Sequence, residues 1–107
     1  FSAKIKQATS AGICDIIIDP GFGFSKNLEQ NYELLKNLNC FKALELPLLV
    51  GVSRKSMIFK LFGYSPAESL NGTTVINTIS MLSGASIIRV HDVKQAVEAA
   101  TIINKIK

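Results

Sequence analysis

The sequence predicts an α/β fold and, within that class, the last three βα units of a (β/α)8 TIM barrel. Three short aliphatic runs, at residues 14–18, 48–52 and 87–90, have the length and composition of strands buried on both faces of a parallel sheet. They lie roughly 32 and 38 residues apart, the spacing of right-handed βα units. Three strands leave two open sheet edges, whereas a complete barrel needs about 250 residues. A small free-standing three-stranded α/β domain is the alternative.

Length and composition indicate one soluble unit, because the 107 residues are 48% hydrophobic and 19% charged. No apolar run approaches the roughly 20 residues of a membrane span and no secretory signal opens the chain, so we expect a cytoplasmic protein without membrane contact. Cys14 and Cys40 have no partners at zinc spacing and are expected to be reduced and structural. Phe1 stands inside a helical pattern, which suggests a piece of a longer protein.

The formal net charge of +4 does not indicate a nucleic-acid partner. The twelve Lys and Arg residues are scattered, with no basic run and no interleaved aromatic residues. Arg54, Lys55 and Arg89 fall at predicted strand ends, where they could serve a small anionic ligand. We therefore expect small-molecule substrates and no nucleic acid.

The first part of the chain is predicted to hold two helices and one strand. An amphipathic helix over residues 2–11 is closed by Gly12. The strand at residues 14–18 ends at residues 19–24, where a proline and two glycines build a loop. A second helix, over residues 28–38, is opened by an Asn-x-x-Gln capping box.

The middle of the chain centres on the second strand. A polar connection at residues 39–45 leads into it. Ser53 is predicted to be the N-cap of a helix that begins at Arg54 and ends before Gly63. A short helix follows at residues 65–68, which supply a serine N-cap, a proline at the first position and an acid at the third.

The last part of the chain is predicted to hold two longer helices around the third strand. Asn71 and Gly72 turn the chain before a helix over residues 73–83, and Asp92 caps a final helix. The side chains expected to face inward on these helices are Val75, Ile76, Ile79 and Leu82, and then Val93, Ala96, Val97, Ala100 and Ile103.

Polar side chains follow each predicted strand. They are Asp19, then Ser53, Arg54, Lys55 and Ser56, then Arg89 and His91. Ligands of parallel α/β folds sit at the carboxyl ends of the strands, so these residues are expected to ring one site. Arg89 and His91 stand two apart and point to the same side, while a helix that begins at Arg54 would add free N–H groups beside Lys55 and Ser56. The set predicts a substrate that bears phosphate or pyrophosphate and a group that a carboxylate can hydrogen-bond.

Several of these candidates also have a structural explanation. Asp19 could open a turn, Lys55 alone would be a solvated surface residue, and His91 could help to cap the last helix. Of the loop aromatics Phe22 and Phe24, one is expected to face the cleft. The sequence contains no Ser-His-Asp triad, zinc site, P-loop or dinucleotide fingerprint. The residues alone therefore indicate part of a barrel that binds an anionic small molecule.

Three blocks at the strand ends carry a family resemblance. They are Asp19-Pro20-Gly21-Phe22-Gly23-Phe24, Val50-Gly51-Val52-Ser53-Arg54-Lys55-Ser56 and Ile88-Arg89-Val90-His91-Asp92. In this order and spacing they resemble the signatures of dihydropteroate synthase, a family of pterin-binding barrel enzymes in folate biosynthesis. The resemblance covers essentially the whole chain. It implies that residues 1–107 are the carboxyl-terminal part of one barrel domain, with its sixth, seventh and eighth strands.

The resemblance implies a transferase reaction. In this family p-aminobenzoate displaces pyrophosphate from 6-hydroxymethyl-7,8-dihydropterin pyrophosphate, which gives 7,8-dihydropteroate, and sulfonamides compete with p-aminobenzoate. The C–O bond to pyrophosphate breaks first, so stabilisation of the departing pyrophosphate supplies much of the catalysis.

The resemblance also implies roles for single residues. The catalytic residues would be Lys55, Arg89 and His91. The pterin would be bound by Asp19, Gly51, Lys55 and Arg89. p-Aminobenzoate would contact Phe24, Ser53 and Ser56. The departing pyrophosphate would be held by Arg89 and His91.

The same resemblance implies a cofactor and an assembly. The cofactor is Mg²⁺, whose ligand is expected in an amino-terminal part of the barrel that this chain lacks, and no metal ligand is expected among the residues here. A homodimer is expected through helices of this end of the barrel. Because further substrate-binding groups belong to the absent strands, the 107 residues alone are expected to be inactive.

Two other functions remain open. A corrinoid methyltransferase on a related barrel would bind a folate methyl donor, but it needs no p-aminobenzoate pocket, so residues 53–56 argue against it. A non-catalytic module that keeps the anion site is the second alternative.

Overall fold

Helices make up most of the chain that the structure, a computed structural model, describes, namely residues 2–10, 17–23 and 26–107. The α-helices are α1 (Ser2–Ser10), α2 (Leu28–Lys36), α3 (Ser56–Phe62), α4 (Leu70–Leu82) and α5 (Val93–Ile106). Two 3₁₀ helices cover Leu38–Leu44 and Pro66–Glu68. No helix within the described ranges is long and apolar enough to cross a membrane.

Three backbone segments lie parallel and side by side. Strand β1 (Leu49–Val50) pairs with strand β2 (Ile87–Ile88), and Ile18 bridges Leu48 just before β1. The N–H of Leu49 donates to the Ile18 carbonyl at 2.7 Å, and the N–H of Arg89 donates to the Val50 carbonyl at 3.0 Å. The second and third predicted strands are thus confirmed in place and direction, with shorter pairing than expected, and of the first only the parallel bridge at Ile18 is observed. Residues 14–16 lie outside the described part of the chain.

The core joins these segments to the helices beside them. Phe22, in the loop after Ile18, is almost completely buried, as are Met57 and Ile58 on α3. The main cluster of buried side chains is Ile18, Phe22, Leu35, Leu38, Leu48, Val50, Val52, Met57, Ile58, Ile76 and Ala85. Because Val50 and Val52 are both fully buried at the end of β1, the core lies directly beneath the loop that follows this strand.

The predicted start of α2 is confirmed in detail. The side chain of Asn27 accepts a hydrogen bond from the Gln30 N–H at 2.8 Å, and the Gln30 side chain accepts one from the Asn27 N–H at 2.9 Å. The helix ends at Lys36, two residues earlier than predicted. The next segment, which we expected to be a polar connection, forms a 3₁₀ helix whose first residue, Leu38, is fully buried in the core. Gly12, the predicted end of α1, lies outside the described residues.

The predicted turn at Asn71 and Gly72 is wrong. Both residues belong to α4, which begins at Leu70. Gly72 permits this helix to approach α3 closely, since a Cβ atom built on Gly72 would collide with Cγ2 of Ile58. The glycine therefore serves helix packing and not a turn. The preceding capping box, in which the Ser65 N–H and hydroxyl both donate to Glu68, is confirmed.

The predicted inward face of α4 is also wrong. Val75, Ile79 and Leu82 are 49%, 41% and 51% exposed, and only Ile76 of the predicted face is buried. The buried positions beside it are polar, namely Thr73, Asn77 and Ser80. Polar side chains can occupy such a face when backbone groups satisfy them, as the Ser80 hydroxyl shows by donating to the Ile76 carbonyl at 2.7 Å.

On α5 the inward face is only partly as predicted. Ile103 is buried, whereas Val93 and Val97 are more than half exposed. The two valines border an open groove beside β2, together with Ile88 and Val90. Nothing in the described part of the chain covers this groove, so apolar spacing alone overestimated the burial of α5.

Candidate functional site

The polar loop after β1 does not continue directly into a helix. Arg54 adopts a left-handed conformation with φ of 55°, and the N–H of Lys55 donates to the Val52 carbonyl at 3.0 Å. This tight turn delays helix α3, which begins at Ser56 with Lys55 at its N-cap position. The predicted N-cap at Ser53 and helix start at Arg54 are therefore wrong.

Arg54 is a structural residue of this loop. Its Nε and Nη2 donate to the two carboxylate oxygens of Asp92 at 3.1 and 2.8 Å, and its Nη1 donates to the carbonyls of Pro66 and Ala67. The hydrogen bonds lower the pKa of the Asp92 carboxyl and raise the pKa of the Arg54 guanidinium. Asp92 occupies the predicted N-cap position of α5, but its side chain binds Arg54 and makes no cap hydrogen bond. Arg54 is thus turned away from the predicted anion site.

Ser53 lies beneath His91. The serine hydroxyl is 2.8 Å from Nδ1 of His91, and the backbone N–H of His91 donates to the same oxygen at 3.2 Å. Ser53 is buried while His91 is exposed. The pair therefore connects the loop after β1 to the segment after β2 and places the imidazole at the rim.

Arg89 covers the backbone of Gly51. A Cβ atom built on Gly51 would lie 2.7 Å from Nη2 of Arg89 and 3.1 Å from its Cζ. A side chain at position 51 would force the guanidinium to shift from this place. Gly51 therefore lets the guanidinium lie flat against the end of β1, beside Ser53, Lys55 and His91.

Lys55 reaches across to the loop after Ile18. Its Nζ donates to the Phe22 carbonyl at 2.7 Å, and its aliphatic stem passes Gly23, where a built Cβ would lie 3.2 Å from Cδ of Lys55. Burial lowers the pKa of the Lys55 ammonium, and the nearby Arg89 charge lowers it further, whereas the Asp19 carboxylate acts in the opposite direction. The charges of Asp19 and Arg89, at two other strand ends, thus both act on the Lys55 ammonium.

Two small pockets share Lys55 as a wall. One, of about 100 Å³, is lined by Gly51, Ser53, Lys55, Arg89, Val90 and His91. The other, of about 210 Å³, is lined by Phe22, Gly23, Lys55 and Ser56. The structure therefore brings Lys55, Arg89, His91 and Gly51 together, and it places Ser56 on the opposite side of Lys55. Ser53 faces the Arg89 pocket and not the Ser56 pocket, so its geometry does not support the expected contact with p-aminobenzoate.

The loop after Ile18 is held by its own side chains and by α2. Asp19 is exposed, and its Oδ1 accepts a hydrogen bond from the Gly21 N–H at 2.9 Å, so it opens a turn as one interpretation proposed. Its other oxygen is not used in this turn. Phe22 is a core residue, and Phe24 lies outside the described residues, so its predicted place in the cleft stays a prediction.

Asn31 is a site-supporting residue that sequence reasoning missed. It is buried on α2, and its Oδ1 accepts a hydrogen bond from the Gly23 N–H at 2.8 Å. The available signal was a carboxamide at a buried helix position beside Leu35, where an apolar residue would be expected. Thr73 lies in the first turn of α4, and its hydroxyl oxygen accepts a hydrogen bond from the Arg54 N–H at 3.1 Å. Nothing in the sequence pointed to this contact.

Fold and site together define a class of protein, in which parallel βα units gather cationic side chains at the carboxyl ends of their strands. The sequence profile of one such family, described as "Pterin binding enzyme", matches residues 1–91. The chain belongs to this family of pterin binding enzymes.

Similar proteins support the same assignment. The dihydropteroate synthase of Escherichia coli (strain K12) is 49% identical over 105 residues, which are 96% of this chain and 37% of that protein. The dihydropteroate synthase of Synechocystis sp. is 45% identical over 97 residues, 88% of this chain and 34% of that protein. The chain therefore spans little more than a third of the length of these relatives.

Solved structures extend the comparison to three dimensions. The crystal structure of the Yersinia pestis dihydropteroate synthase is 46% identical, with a TM-score of 0.93, and the match covers 98% of this chain and 44% of that one. The Thermus thermophilus enzyme is 39% identical with a TM-score of 0.91, covering 98% of this chain and 43% of that one. These similarities confirm that the fold is part of the predicted barrel.

Proposed function

We propose that this chain is the carboxyl-terminal part of a dihydropteroate synthase. In the reaction, the amine of p-aminobenzoate displaces pyrophosphate from 6-hydroxymethyl-7,8-dihydropterin pyrophosphate and gives 7,8-dihydropteroate. The names of the similar proteins support this proposal. Related solved structures hold ligands of the same chemistry, a sulfonamide drug in the Yersinia pestis enzyme and pteroic acid in the Coxiella burnetii enzyme.

One observation carries the proposal, namely that Lys55 separates two pockets of different character. The pocket with Arg89 and His91 offers nitrogen donors for a phosphate group. The pocket with Ser56 and the Phe22 backbone is less cationic and suits a second, aromatic substrate. A group-transfer enzyme needs its two substrates on either side of the reacting carbon, and Lys55 stands at that boundary.

Each substrate group would contact a different set of side chains. Arg89 and His91 hold the departing pyrophosphate, and Arg89 also lies against the pterin face above Gly51. The Asp19 carboxylate accepts hydrogen bonds from the pterin ring. Lys55 contacts the pterin carbonyl side and lines the second pocket. In that pocket Ser56 and Phe24 contact p-aminobenzoate, and the role of Phe24 rests on the family resemblance alone.

Charge placement explains how this site would accelerate the reaction. As the C–O bond breaks, negative charge grows on pyrophosphate while the pterin methylene becomes electron-poor. The Arg89 guanidinium lies against the backbone of Gly51, where it would stabilise the growing negative charge. Partial burial lowers the pKa of Lys55 from its ordinary value, and the neighbouring guanidinium lowers it further; burial of this kind strengthens electrostatic interactions.

Mg²⁺ is part of the proposal, but the residues described here do not form a site for it. Within the described ranges no group of three or more His, Cys, Asp or Glu side chains could hold a metal ion. We place the Mg²⁺ ligand in the amino-terminal part of the barrel, as the family resemblance implies. When bound, the ion would supply charge neutralisation of pyrophosphate.

A homodimer is the proposed assembly, in the cytoplasm. Four exposed apolar side chains, which we call the α3–α4 patch, line one groove on α3 and α4, namely Leu61, Phe62, Val75 and Ile79. The ring of Phe62 also stacks on Tyr64 at 5.3 Å between centroids, which makes the surface continuous. Exposed apolar surfaces of this kind typically mark contacts between proteins.

The test is conversion of labelled p-aminobenzoate to dihydropteroate. The chain is assayed alone and after mixing with the separately made amino-terminal part of a related synthase. We expect product only in the mixture, and we expect Lys55→Ala to lower kcat/KM roughly a hundredfold or more because an interaction with both substrates is lost. Lys60→Ala removes an exposed lysine of α3 and serves as the matched control.

The outcomes separate the competing functions. Steady product formation by the chain alone would show that the 107 residues suffice, contrary to expectation. Full activity of the Lys55→Ala mixture would remove Lys55 from the site. Product from neither sample, with cooperative unfolding and retained pyrophosphate binding, would favour a non-catalytic anion-binding module.

A further inference from the structure

Ser53 and His91 form a hydrogen-bonded pair between the ends of β1 and β2, at a depth that excludes solvent from the serine. Ser53 is 6% exposed, and its Oγ lies 2.8 Å from His91 Nδ1 and 3.2 Å from the His91 backbone nitrogen. Ser53 is one of the residues that line the Arg89 pocket, and its Oγ is within hydrogen-bonding distance of two atoms of His91. These contacts indicate that Ser53 acts by orienting His91.

The hydrogens of this pair can be assigned by counting donors and acceptors. A serine hydroxyl has one hydrogen to donate and two lone pairs. The His91 backbone N–H, which can only donate, occupies one lone pair. Among the described residues, Nδ1 of His91 is the one atom near Ser53 Oγ that can accept its hydrogen. Because a buried hydroxyl rarely leaves its hydrogen unused, Ser53 donates to Nδ1.

This assignment fixes the tautomer of the neutral imidazole. Nδ1 accepts a hydrogen bond, so the ring proton is on Nε2. The pocket wall that His91 shares with Arg89 and Lys55 then carries an N–H donor beside two cations. A phosphate oxygen accepts from such a donor, whereas an unprotonated ring nitrogen would repel it.

We propose that Ser53 is a positioning residue that holds His91 as the Nε2–H tautomer, so that Nε2 donates to a pyrophosphate oxygen in the Arg89 pocket. The identity of the anion rests on the proposed function, whereas the tautomer does not. A second contact supports the fixed geometry. Arg54 and Asp92, one residue further along each segment, form the ion pair that clamps the same two loops.

The test uses nuclear magnetic resonance of the imidazole in the ¹⁵N-labelled 107-residue chain. His91 is the one histidine of the sequence, so its ring signals need no assignment by mutation. At a pH where the imidazole is neutral, we expect Nε2 to carry the proton and Nδ1 to carry none. A proton on Nδ1 in the unsubstituted chain would overturn the proposal without any variant.

Ser53→Ala removes the hydroxyl and should give a mixture of both tautomers. Ser83→Ala, after the end of α4, is the matched control and should leave the ring signals unchanged, because Ser83 makes no contact with His91. Circular dichroism confirms that each variant is folded. An unchanged single tautomer in folded Ser53→Ala would also contradict the proposal.

Titration with inorganic pyrophosphate then tests the second half of the proposal. We expect the Nε2–H signal to move, with a dissociation constant roughly tenfold weaker in Ser53→Ala than in Ser83→Ala. Equal affinity in the two variants would show that Ser53 does not position His91 for the anion. The predicted tautomer without any response to pyrophosphate would contradict the anion site and with it the proposed function, while the tautomer assignment would stand.

Discussion

Gly51 and Arg89 show how a residue without a side chain can shape a charged pocket. A Cβ atom built on Gly51 would lie only 2.7 Å from Nη2 of Arg89, so the guanidinium occupies the space that a side chain at position 51 would need. The backbone of Gly51 does not have a positive φ, so alanine can adopt it without strain. A substitution here therefore probes the position of Arg89 and not the fold.

We expect Gly51→Ala to lower kcat/KM in the reconstituted enzyme roughly ten- to a hundredfold, because the guanidinium must move by about an ångström from its place. The thermal midpoint should change little, since the displaced group is the end of a flexible exposed side chain. The effect is measured by steady-state kinetics in wild-type and Arg89→Ala backgrounds. If Gly51→Ala acts by displacing Arg89, it should not lower kcat/KM any further in the Arg89→Ala background. Additive losses would place the role of Gly51 elsewhere.

At the scale of elements, the loop after β1 is held by three neighbours that are distant in sequence. Arg54 donates to Asp92 before α5 and to Pro66 and Ala67 of the short 3₁₀ helix, while its N–H donates to Thr73 on α4. These bonds stabilise the left-handed conformation of Arg54, which is unfavourable for a residue with a side chain. The tight turn at Arg54 in turn sets the direction in which Lys55 and Ser56 leave the loop.

We expect Arg54→Ala and Asp92→Asn each to lower the thermal midpoint, and the double variant to be little worse than Arg54→Ala. The reason is that both single changes remove the same bidentate pair, although Arg54→Ala also frees two backbone carbonyls. Differential scanning calorimetry measures the midpoints. Full additivity of the two losses would show that the pair is not coupled. Lys94→Ala, next to the pair on the exposed side of α5, is the control for a lost surface charge.

The same pair predicts how stability depends on pH. The pKa of Asp92 is lower in the folded chain than in the unfolded chain, where it is about 4. The unfolded state therefore binds the proton more readily, so the contribution of the pair is present above about pH 4 and is lost as the pH falls below that value. The difference in midpoint between wild type and Asp92→Asn should shrink in that range. A difference that stays constant down to pH 2 would contradict this account.

At the scale of the whole molecule, the uncovered apolar surfaces matter most. The groove beside β2, lined in part by Val93 and Val97, lies at the sheet edge, whereas the α3–α4 patch lies on the helices. In the related synthases the matched region is less than half of the chain. We propose that the remainder of the barrel covers the groove and that a second copy covers the α3–α4 patch.

We expect Ile79→Glu to convert the dimer of the reconstituted enzyme to monomer, because a buried unpaired carboxylate costs several kcal/mol at an interface. Analytical ultracentrifugation measures the mass. Ile106→Glu, at the exposed end of α5 and outside the patch, should leave the dimer intact. Persistence of the dimer in Ile79→Glu would move the interface away from this patch.

The order of strands and helices could be predicted from sequence because it depends on local patterns. The aliphatic run before Gly51 has the length and composition typical of a buried strand, and the Asn27 and Gln30 pair satisfies the first N–H groups of α2 whatever surrounds it. The clustering of Lys55, Arg89 and His91 followed from parallel topology, which brings all strand ends to one edge. These conclusions needed no knowledge of packing.

Tertiary structure alone decided the details that depend on contacts between distant residues. Arg54 is a structural residue and not an anion ligand because Asp92 lies opposite it, and Gly72 belongs to α4, where its lack of a side chain lets Ile58 pack closely. The polar buried face of α4 reversed the expected burial: the Ser80 hydroxyl donates to the Ile76 carbonyl and Thr73 accepts from the Arg54 N–H, whereas Asn77 Oδ1 is buried without a partner among the described residues. The sequence by itself thus determined which elements form and which chemistry gathers at their ends. Only the packed structure decided which of those side chains bind each other and which remain for a ligand.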